Sequence, residues 1–367
     1  MQTIPIETLR VWLERGDPVT VVDVRPQAER AEWSIPGSVH IDAYDALKAH
    51  DPNALAALDL PTDRPVVTVC AAGKTSQLAA EQLAGRGFQV FSLKGGMKAW
   101  SLAWNTAEIP LEGQAVRVLQ IRRTGKGCLS YLLGAGSEAS VIDASLDPQV
   151  YLDLAQSRGW RITHVFETHI HADHLSRARQ LAQRSRATLF LPDQQRVSFP
   201  ATLLYDRDTV TTAQMRLTAL HTPGHTPEST CYLLNDAVLF TGDTLFPQSV
   251  GRPDLHANAQ EARARSLQLY QSLHMLKTLP PEVLVLPGHA SQPVPFDQQP
   301  IRARLAEIEA QVDLLHTPQD VFVETLLQRL PPTPPNYERI VALNEAGLFP
   351  AQEVTELEAG ANRCAIA

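Results

Sequence analysis

The feature that most constrains the fold is a cluster of histidine and aspartate residues directly after a predicted strand. The chain reads His-x-His-x-Asp-His from His169, following a predicted strand over residues 164–168. Side-chain direction repeats every two residues in an extended chain, so His169 and His171 are expected to point to the same side. Asp173 and His174 then fall in the first turn of a helix, where the chain folds back. We therefore expect four ionisable side chains at one strand end.

Three further ionisable residues arrive later in the chain, each directly after a glycine in a predicted turn. They are His225, Asp243 and His289. Together with the first cluster, five of the twelve histidines lie in turns at strand ends that carry Gly or Asp. Imidazole and carboxylate together are ligands for zinc, iron or manganese. Ligand types that recur in loops after strands predict a metal site. The other histidines, His221 among them, are expected to be structural.

The chain is long enough for two domains. At 367 residues it exceeds the size at which one hydrophobic core usually stops growing. Strand and helix signals alternate in the first hundred residues, with β-branched runs at 19–24 and 66–69, which predicts a parallel α/β sheet. Polar residues, proline and glycine then break the pattern. We predict a first domain over 1–105, a linker over 106–114, and a strand-rich second domain over 115–367 with two sheets covered by helices.

Composition and charge exclude several classes of protein. The formal net charge is −8, whereas nucleic-acid binders usually carry a basic face. No stretch approaches the roughly 18 apolar residues of a membrane span. The first residues show neither the basic nor the apolar segment of an export signal. Besides Cys70, the cysteines Cys128, Cys231 and Cys364 are far apart and are expected to pack as small apolar residues. These features together predict a cytoplasmic protein.

Cys70 lies in a short loop between a predicted strand and a helix that opens near Ser76. Such a loop directs backbone N–H groups at one point, and the helix N-terminus adds partial positive charge. A sulfur atom there is expected to be stabilised as thiolate or persulfide, with Lys74 as an additional cation. The alternative is a buried cysteine that ends a strand. The residues between strand and helix are Ala71, Ala72, Gly73, Lys74 and Thr75.

Four short motifs follow one another in the first hundred residues, at 22–25 with Glu29, 35–38, 70–75 and 93–100. Taken together, over residues 4–104, they resemble the rhodanese (sulfurtransferase) family. In that family the loop cysteine carries the transferred sulfane sulfur, so the resemblance implies this role for Cys70 and a sulfur-binding role for residues 71–75. Ser34 and Ala71 depart from the residues common in the family.

The histidine cluster followed by His225, Asp243 and His289, in this order, resembles the metallo-β-lactamase superfamily over about residues 114–289. The implied fold is an αββα sandwich with metals at one sheet edge, which agrees with the strand-rich pattern. The fold class is therefore expected to be α/β, a rhodanese-like parallel sheet followed by this sandwich. Within the superfamily the closer resemblance is to persulfide dioxygenases, on residues 127–131, 240–246 and 250–255.

The resemblance to persulfide dioxygenases implies that His169, His225 and Asp243 hold one Fe(II) per chain. Two histidines and one carboxylate leave positions open for a persulfide sulfur and O₂. Arg252 is expected to anchor a carboxylate of a glutathione-like substrate, with a surface arginine in a turn as the alternative. The remaining residues would hydrogen-bond the ligands or substrate, or complete a second metal site: His171, Asp173, His174 and His289.

The chemistry implied for both halves involves persulfide sulfur. Placing both domains on one chain raises the local concentration of a labile intermediate. We expect a bifunctional enzyme, a persulfide dioxygenase joined to a thiosulfate sulfurtransferase. Its partners would be a small persulfide, O₂, thiosulfate or sulfite, and glutathione or a related thiol, without nucleic acid or membrane; a homo-oligomer is possible. One alternative is a glyoxalase-II-like thioester hydrolase with a dinuclear zinc site. Another is a rhodanese module that only relays sulfur or docks a partner.

Overall fold

A parallel sheet of five strands occupies the first part of the chain, in a computed structural model that describes residues 2–366. Its strands are β1 (Thr3–Ile4), β2 (Thr20–Asp23), β3 (Val39–His40), β4 (Val66–Val69) and β5 (Val90–Leu93). The helices of this part are α1 (Ile6–Arg15), α2 (Gln27–Glu32), α3 (Tyr44–Lys48), α4 (Thr75–Gly85) and α5 (Gly96–Trp100). The strand order is β1-β5-β4-β2-β3, and every neighbouring pair is parallel. All residues of β2 and β4 are buried, as expected for strands covered on both faces.

The second part of the chain contains two larger sheets. The first has the spatial order β12-β11-β10-β9-β8-β7-β6, with β12 and β6 at its two edges. Its strands are β6 (Asn105–Ile109), β7 (Arg117–Arg122), β8 (Leu129–Ala135), β9 (Glu138–Ile142), β10 (Arg161–Phe166), β11 (Thr188–Pro192) and β12 (Thr202–Leu204). The other sheet has, in spatial order, β13 (Thr209–Thr212), β14 (Met215–His221), β15 (Thr230–Leu234), β16 (Val238–Gly242), β19 (Leu284–Pro287) and β20 (Ala303–Arg304). A small sheet joins β17 (Leu245–Phe246), β18 (Ser249–Gly251) and β21 (Ala365–Ile366).

These two larger sheets pack face to face and are covered by helices on their outer faces. Alternation along β8 shows the principle, because Tyr131 faces the core between the sheets while Leu132 faces the outer helices. In the inner core the rings of Tyr131 and Phe240 come from opposite sheets, with centroids 4.9 Å apart. The helices are α6 (Pro148–Gln156), α7 (Ala178–Ser185), α8 (Ala259–Leu276), α9 (Leu305–Gln311), α10 (Gln319–Gln328), α11 (Tyr337–Ala346) and α12 (Val354–Leu357). Helices α6 and α7 cover one sheet and α8 to α10 the other, so the predicted αββα sandwich is confirmed.

The segment predicted to be a linker, residues 106–114, begins inside a strand. Strand β6 pairs antiparallel with β7 along its whole length. Its polar residues Thr106 and Glu108 are less buried than Ala107 and Ile109, which alternate with them. The polar residues that suggested a linker are therefore the outward-facing positions of an edge strand. Among residues 2–366, no helix has both the length and the apolar character needed to cross a lipid bilayer.

The C-terminal tail, residues 331–366, returns across the molecule and ends as β21. The carboxylate of Glu358 in this tail is completely buried and forms ion pairs with Arg123 and Arg177, both at 2.5 Å. Helix α12 of the tail also lies against α5 of the first sheet's domain. The tail thus connects the two parts of the chain.

The loop that follows β7 packs directly against the first domain. The backbone N–H of Gly125 donates to the carbonyl oxygen of Ala103 at 3.2 Å. A Cβ atom at Gly125 would lie only 1.7 Å from the carbonyl oxygen of Trp100. The Trp100 oxygen belongs to the backbone, so it cannot move aside as a flexible side chain would.

Replacing Gly125 by alanine is therefore expected to separate the two domains locally. We expect Gly125→Ala to destabilise the protein by about 1–3 kcal/mol, the usual cost of overpacking. Gly85→Ala at the end of α4 is the control, because nothing lies within 4 Å of its Cβ. Thermal unfolding followed by circular dichroism measures both. Equal melting temperatures for the two variants would contradict the tight contact.

Candidate active site

The His-x-His-x-Asp-His segment starts at His169, three residues after the end of β10, an interior strand of its sheet. Thr168 fixes this exit, since its N–H and hydroxyl donate to the two carboxylate oxygens of Asp143 at 2.8 and 2.9 Å. The Thr168 hydroxyl has then used its only hydrogen, so it accepts one from Nδ1 of His169 at 2.9 Å. The Nε2 lone pair of His169 is therefore free to bind a metal.

His225 and Asp243 approach His169 from the other sheet. The loop after β14 carries His225, whose Nδ1 donates to the carbonyl oxygen of Arg252 at 2.8 Å, which leaves its Nε2 lone pair free. Asp243 follows β16, and its Oδ2 lies 3.8 Å from Nε2 of His169 and 3.6 Å from Nε2 of His225. This buried Oδ2 has no hydrogen-bond partner. Three electron-rich atoms that converge without a proton between them are suited to a metal cation.

The charge states of these three residues agree with a metal site. Burial would raise the pKa of Asp243, but the imidazoles of His289, His169 and His225 outweigh it and hold that pKa below its usual value. Burial, together with neighbouring His171, lowers the pKa of His169 well below its usual value. Burial likewise lowers the pKa of His225, against the opposing effect of Asp243. The site thus presents two neutral imidazoles and one carboxylate at neutral pH.

Asp173, His174 and His289 form a hydrogen-bonded network beside these three residues. His289 follows β19 and donates from Nδ1 to Oδ1 of Asp243 at 2.5 Å and from Nε2 to Oδ2 of Asp173 at 2.9 Å. His174 donates from Nδ1 to Asp173 at 3.0 Å, while its buried Nε2 has no partner. Burial would lower the pKa of His289, but Asp173 and Asp243 raise it well above its usual value. Both nitrogens of His289 are therefore occupied by carboxylates.

His171 is directed differently from the other residues of the segment. Its Nε2 lies 2.9 Å from Glu167 and 3.3 Å from Asp143, although its ring is only 4.2 Å from that of His169. The sequence pattern alone did not indicate these two carboxylate partners. Because burial opposes charge but both carboxylates favour it, the pKa of His171 is raised well above its usual value. The structure thus separates His171 from the convergence point at Asp243.

Two cysteines that were expected only to fill space lie beside the same network. All four cysteines are buried and free. Cys128 donates its thiol hydrogen to Asp173 at 3.2 Å, and the Cys364 sulfur, in the tail, lies within 4.8 Å of ligand atoms of Asp243 and His289. Burial and Asp173 act to raise the pKa of Cys128, but His174 and His289 hold it at about 7. Sequence reasoning missed both positions, because each cysteine reaches the network through contacts between residues far apart in the chain.

Arg252 does not have the role expected from the sequence, neither as a substrate anchor nor as a surface residue. Its side chain is completely buried, and its guanidinium donates to both oxygens of Asp254 at 2.7 Å. The remaining N–H groups donate to backbone carbonyl oxygens of Pro331, Pro332 and Arg363 in the tail. Arg252 has no donor left for a substrate carboxylate, so it is a structural residue that fixes the tail.

The sulfur loop of the first domain lies between β4 and α4, as the sequence predicts. Cys70 is buried, and its sulfur accepts a hydrogen bond from the N–H of Gly73 at 3.2 Å and contacts the Ser76 hydroxyl at 3.4 Å. The loop carbonyls accept from α5, since the N–H of Met97 donates to the Cys70 oxygen at 2.9 Å. Lys74 is exposed, as is Ala72, while Gly73 and Thr75 are buried and Ala71 is partly buried.

The buried position of Arg252 generates a prediction. We expect Arg252→Gln to destabilise the protein by about 3 kcal/mol or more, because it leaves a carboxylate and three carbonyls without their donor. Arg263→Gln is the control, since Arg263 pairs with Glu324 in solvent and its loss is expected to cost below about 1 kcal/mol. Thermal unfolding measures both. An unchanged melting temperature together with weaker substrate binding would instead support a substrate contact.

Comparison with known proteins agrees with the fold and with this site. A family model of the metallo-β-lactamase superfamily matches residues 123–289, and one of the rhodanese-like domain matches residues 6–103. Hydroxyacylglutathione hydrolase of Rhizobium johnstonii is 31% identical over 182 residues, 47% of this chain and 68% of the relative. The Rhodospirillum rubrum protein of the same name is 32% identical over 187 residues, 48% of this chain and 70% of the relative.

Two solved structures are similar to this one. A metallo-β-lactamase from Staphylococcus aureus superposes with a TM-score of 0.59 at 27% identity, over 64% of this chain and 74% of that one. ETHE1 from Myxococcus xanthus superposes with a TM-score of 0.55 at 29% identity, over 63% of this chain and 98% of that one. From the ligand geometry and these similarities together, the chain belongs to the metallo-β-lactamase superfamily and carries a rhodanese-like domain before the metal-binding domain.

Proposed function

We propose that the protein is a bifunctional sulfur-metabolism enzyme, a mononuclear Fe(II) persulfide dioxygenase combined with a sulfurtransferase. The observation that supports the first activity most is the convergence of two imidazole Nε2 atoms on Oδ2 of Asp243. Two histidines and one carboxylate are the ligands of non-haem Fe(II) oxygenases, with positions left open for substrates. Iron bound there would supply the redox chemistry that joins O₂ to a persulfide sulfur.

The balanced reaction is RSSH + O₂ + H₂O → RSH + SO₃²⁻ + 2 H⁺. The protein's own residues contribute orientation and a dry environment to it. Thr168 and the Arg252 carbonyl hold the two imidazoles in the tautomer that presents Nε2. His289 holds Asp243 through its Oδ1, so that Oδ2 faces the imidazoles. Preorganised groups of this kind need no rearrangement when the reaction occurs.

Cys70 is proposed to carry the second activity. Its sulfur would attack thiosulfate, the S–S bond of which breaks: Cys70–S⁻ + S₂O₃²⁻ → Cys70–S–S⁻ + SO₃²⁻. The persulfide then passes its outer sulfur to a thiol, which regenerates Cys70 and forms the small persulfide. The N–H of Gly73 and the Ser76 hydroxyl are close enough to stabilise charge on the sulfur. Glutathione or a similar thiol is the proposed acceptor, since relatives are named for a glutathione thioester.

A dinuclear thioester hydrolase is the second candidate, supported by the names of the relatives. Every residue that a second metal would need is present. In this arrangement, however, both nitrogens of His289 are bonded to carboxylates, and Nε2 of His171 lies against Glu167 and Asp143. Nδ1 of His171 and Nε2 of His174 are buried without a hydrogen-bond partner, so neither imidazole has to leave its carboxylates to bind a metal. A second metal would, however, require His289 to exchange one of its two carboxylate partners for the metal. The hydrogen-bonding geometry therefore favours the mononuclear centre.

Oxygen consumption with glutathione persulfide tests the dioxygenase. Iron-loaded protein is expected to take up one O₂ per sulfite formed, and His225→Ala is expected to lose this activity and most of its iron. His221→Ala is the matched control, because this imidazole is exposed and hydrogen-bonds to the Pro227 carbonyl, away from Asp243. Absence of uptake above the metal-free protein rejects the proposal. Two zinc ions per chain with hydrolysis of S-lactoylglutathione would favour the hydrolase.

Sulfur transfer from thiosulfate tests Cys70. Cys70→Ser is expected to abolish this activity and to leave O₂ uptake with added persulfide unchanged, because the two reactions use different atoms. Cys231→Ser is the control, since Cys231 lies on β15 and is buried in the core between this sheet and the helices that cover it, far from the sulfur loop in sequence. Sulfurtransferase activity that survives in Cys70→Ser would mean that Cys70 carries no sulfur and that the domain serves as a relay or docking module.

A further inference from the structure

The loop between β7 and β8, residues 123–128, lies at the meeting point of the first domain, the tail and the metal-binding domain. We call it the β7–β8 loop. It ends at Cys128, which is also paired to His289 in an isolated antiparallel β-bridge. Residues of the first domain and the tail therefore contact a loop whose last residue, Cys128, pairs with His289 of the hydrogen-bonded network around Asp243.

Three hydrogen bonds hold the β7–β8 loop against the first domain, one of which is the bond from the Gly125 N–H to the Ala103 carbonyl described above. The indole N–H of Trp33, a buried side chain, donates to the Thr124 carbonyl at 3.0 Å. The guanidinium Nε of Arg123 donates to the Ser101 carbonyl at 2.7 Å. The ring of Trp33 also covers Gly127, where a Cβ atom would lie 3.0 Å from it. The backbone of the loop is thus held against the first domain on one side.

The tail holds the same loop from the other side. Glu358, fully buried, accepts from Arg123 at 2.5 Å, and its carbonyl accepts from Lys126 at 3.1 Å. The same carboxylate accepts from the N–H of Leu175 at 2.7 Å and from Arg177, directly after the His-x-His-x-Asp-His segment. Glu358 therefore links the β7–β8 loop to the segment that carries His169 and Asp173.

Toward the metal site, the loop fixes the backbone on both sides of His289. The N–H of Leu129 donates to the Gly288 carbonyl, and the N–H of Ala290 donates to the Gly127 carbonyl, both at 2.8 Å. His289 in turn holds Asp243 at 2.5 Å. A displacement of the β7–β8 loop would therefore move His289, and with it the carboxylate at the centre of the site.

We propose that Trp33 and Glu358 are positioning residues of the metal centre, which act through the β7–β8 loop on His289 and Asp243. The rhodanese-like domain then has a second role that does not depend on Cys70, namely to support the metal site of the other domain. The proposal rests on the metal assignment in the proposed function and not on which reaction the metal performs. Groups that support metal ligands typically contribute about 10- to 100-fold in metal affinity.

Binding of Co²⁺ to the metal-free, full-length chain tests the proposal. Trp33→Phe keeps the ring and removes the indole donor, and it is expected to weaken Co²⁺ binding about 10-fold and to change the visible spectrum. Trp12→Phe is the matched control, since Trp12 packs on Phe91 within the first domain. Competition with a chromophoric chelator gives both dissociation constants. Sulfur transfer from thiosulfate is expected to be unchanged in both variants, which shows that the first domain remains folded.

Glu358→Gln provides an independent variant, with Glu356→Gln as control because Glu356 is an exposed residue of the same tail. We expect about 10-fold weaker Co²⁺ binding in Glu358→Gln, the lower end of the range for groups bonded directly to ligands, and no change in Glu356→Gln. A lower melting temperature with unchanged Co²⁺ affinity and spectrum in Trp33→Phe and Glu358→Gln would overturn the proposal and leave a merely structural role. A wild-type chain that binds no Co²⁺ would instead reject the metal site itself, and the inference with it.

Discussion

The buried carboxylate of Asp243 is the constraint on which the metal-binding domain depends. A charged group without solvent is costly unless it is paired and hydrogen-bonded. His289 satisfies one of its oxygens, and the other faces the Nε2 atoms of His169 and His225. This requires that β10, β14, β16 and β19, from two different sheets, end at one edge of the sandwich. The face-to-face packing of the sheets is what makes that possible.

The two proposed chemistries share one set of candidate ligands around this carboxylate. The relatives are named hydroxyacylglutathione hydrolase, whereas the proposed activity is a dioxygenase, and the sequence contains the residues for either a mononuclear or a dinuclear site. The hydrogen bonds of His171 and His289 are what bears on the number of metal ions. His171 is turned toward Glu167 and Asp143, and His289 bridges two carboxylates. Under the proposed function His289 would support the ligand Asp243, while Nδ1 of His171 is buried without a hydrogen-bond partner.

The tail and the first domain complete the site. Cys364 reaches Asp243 and His289 because β21 pairs with β18, and Arg252 fixes the chain just before it. The first domain contributes the sulfur loop around Cys70 and also contacts the loop that leads to Cys128. The interface of the two domains therefore borders the network around Asp243, in addition to any effect that the fusion would have on the local concentration of an intermediate in the proposed function.

The sequence by itself predicted an α/β organisation in two parts and the turns that carry the histidines and aspartates, because these follow from local periodicity and from the spacing of ligand types. The family resemblances implied the two folds and the set His169, His225 and Asp243. The sequence did not determine the direction of His171, the burial of Arg252 or the position of Cys364. Each of these depends on contacts between residues far apart in the chain. Local pattern places a side chain on an element, but the partners that orient it are supplied only when sheets, tail and domains pack together.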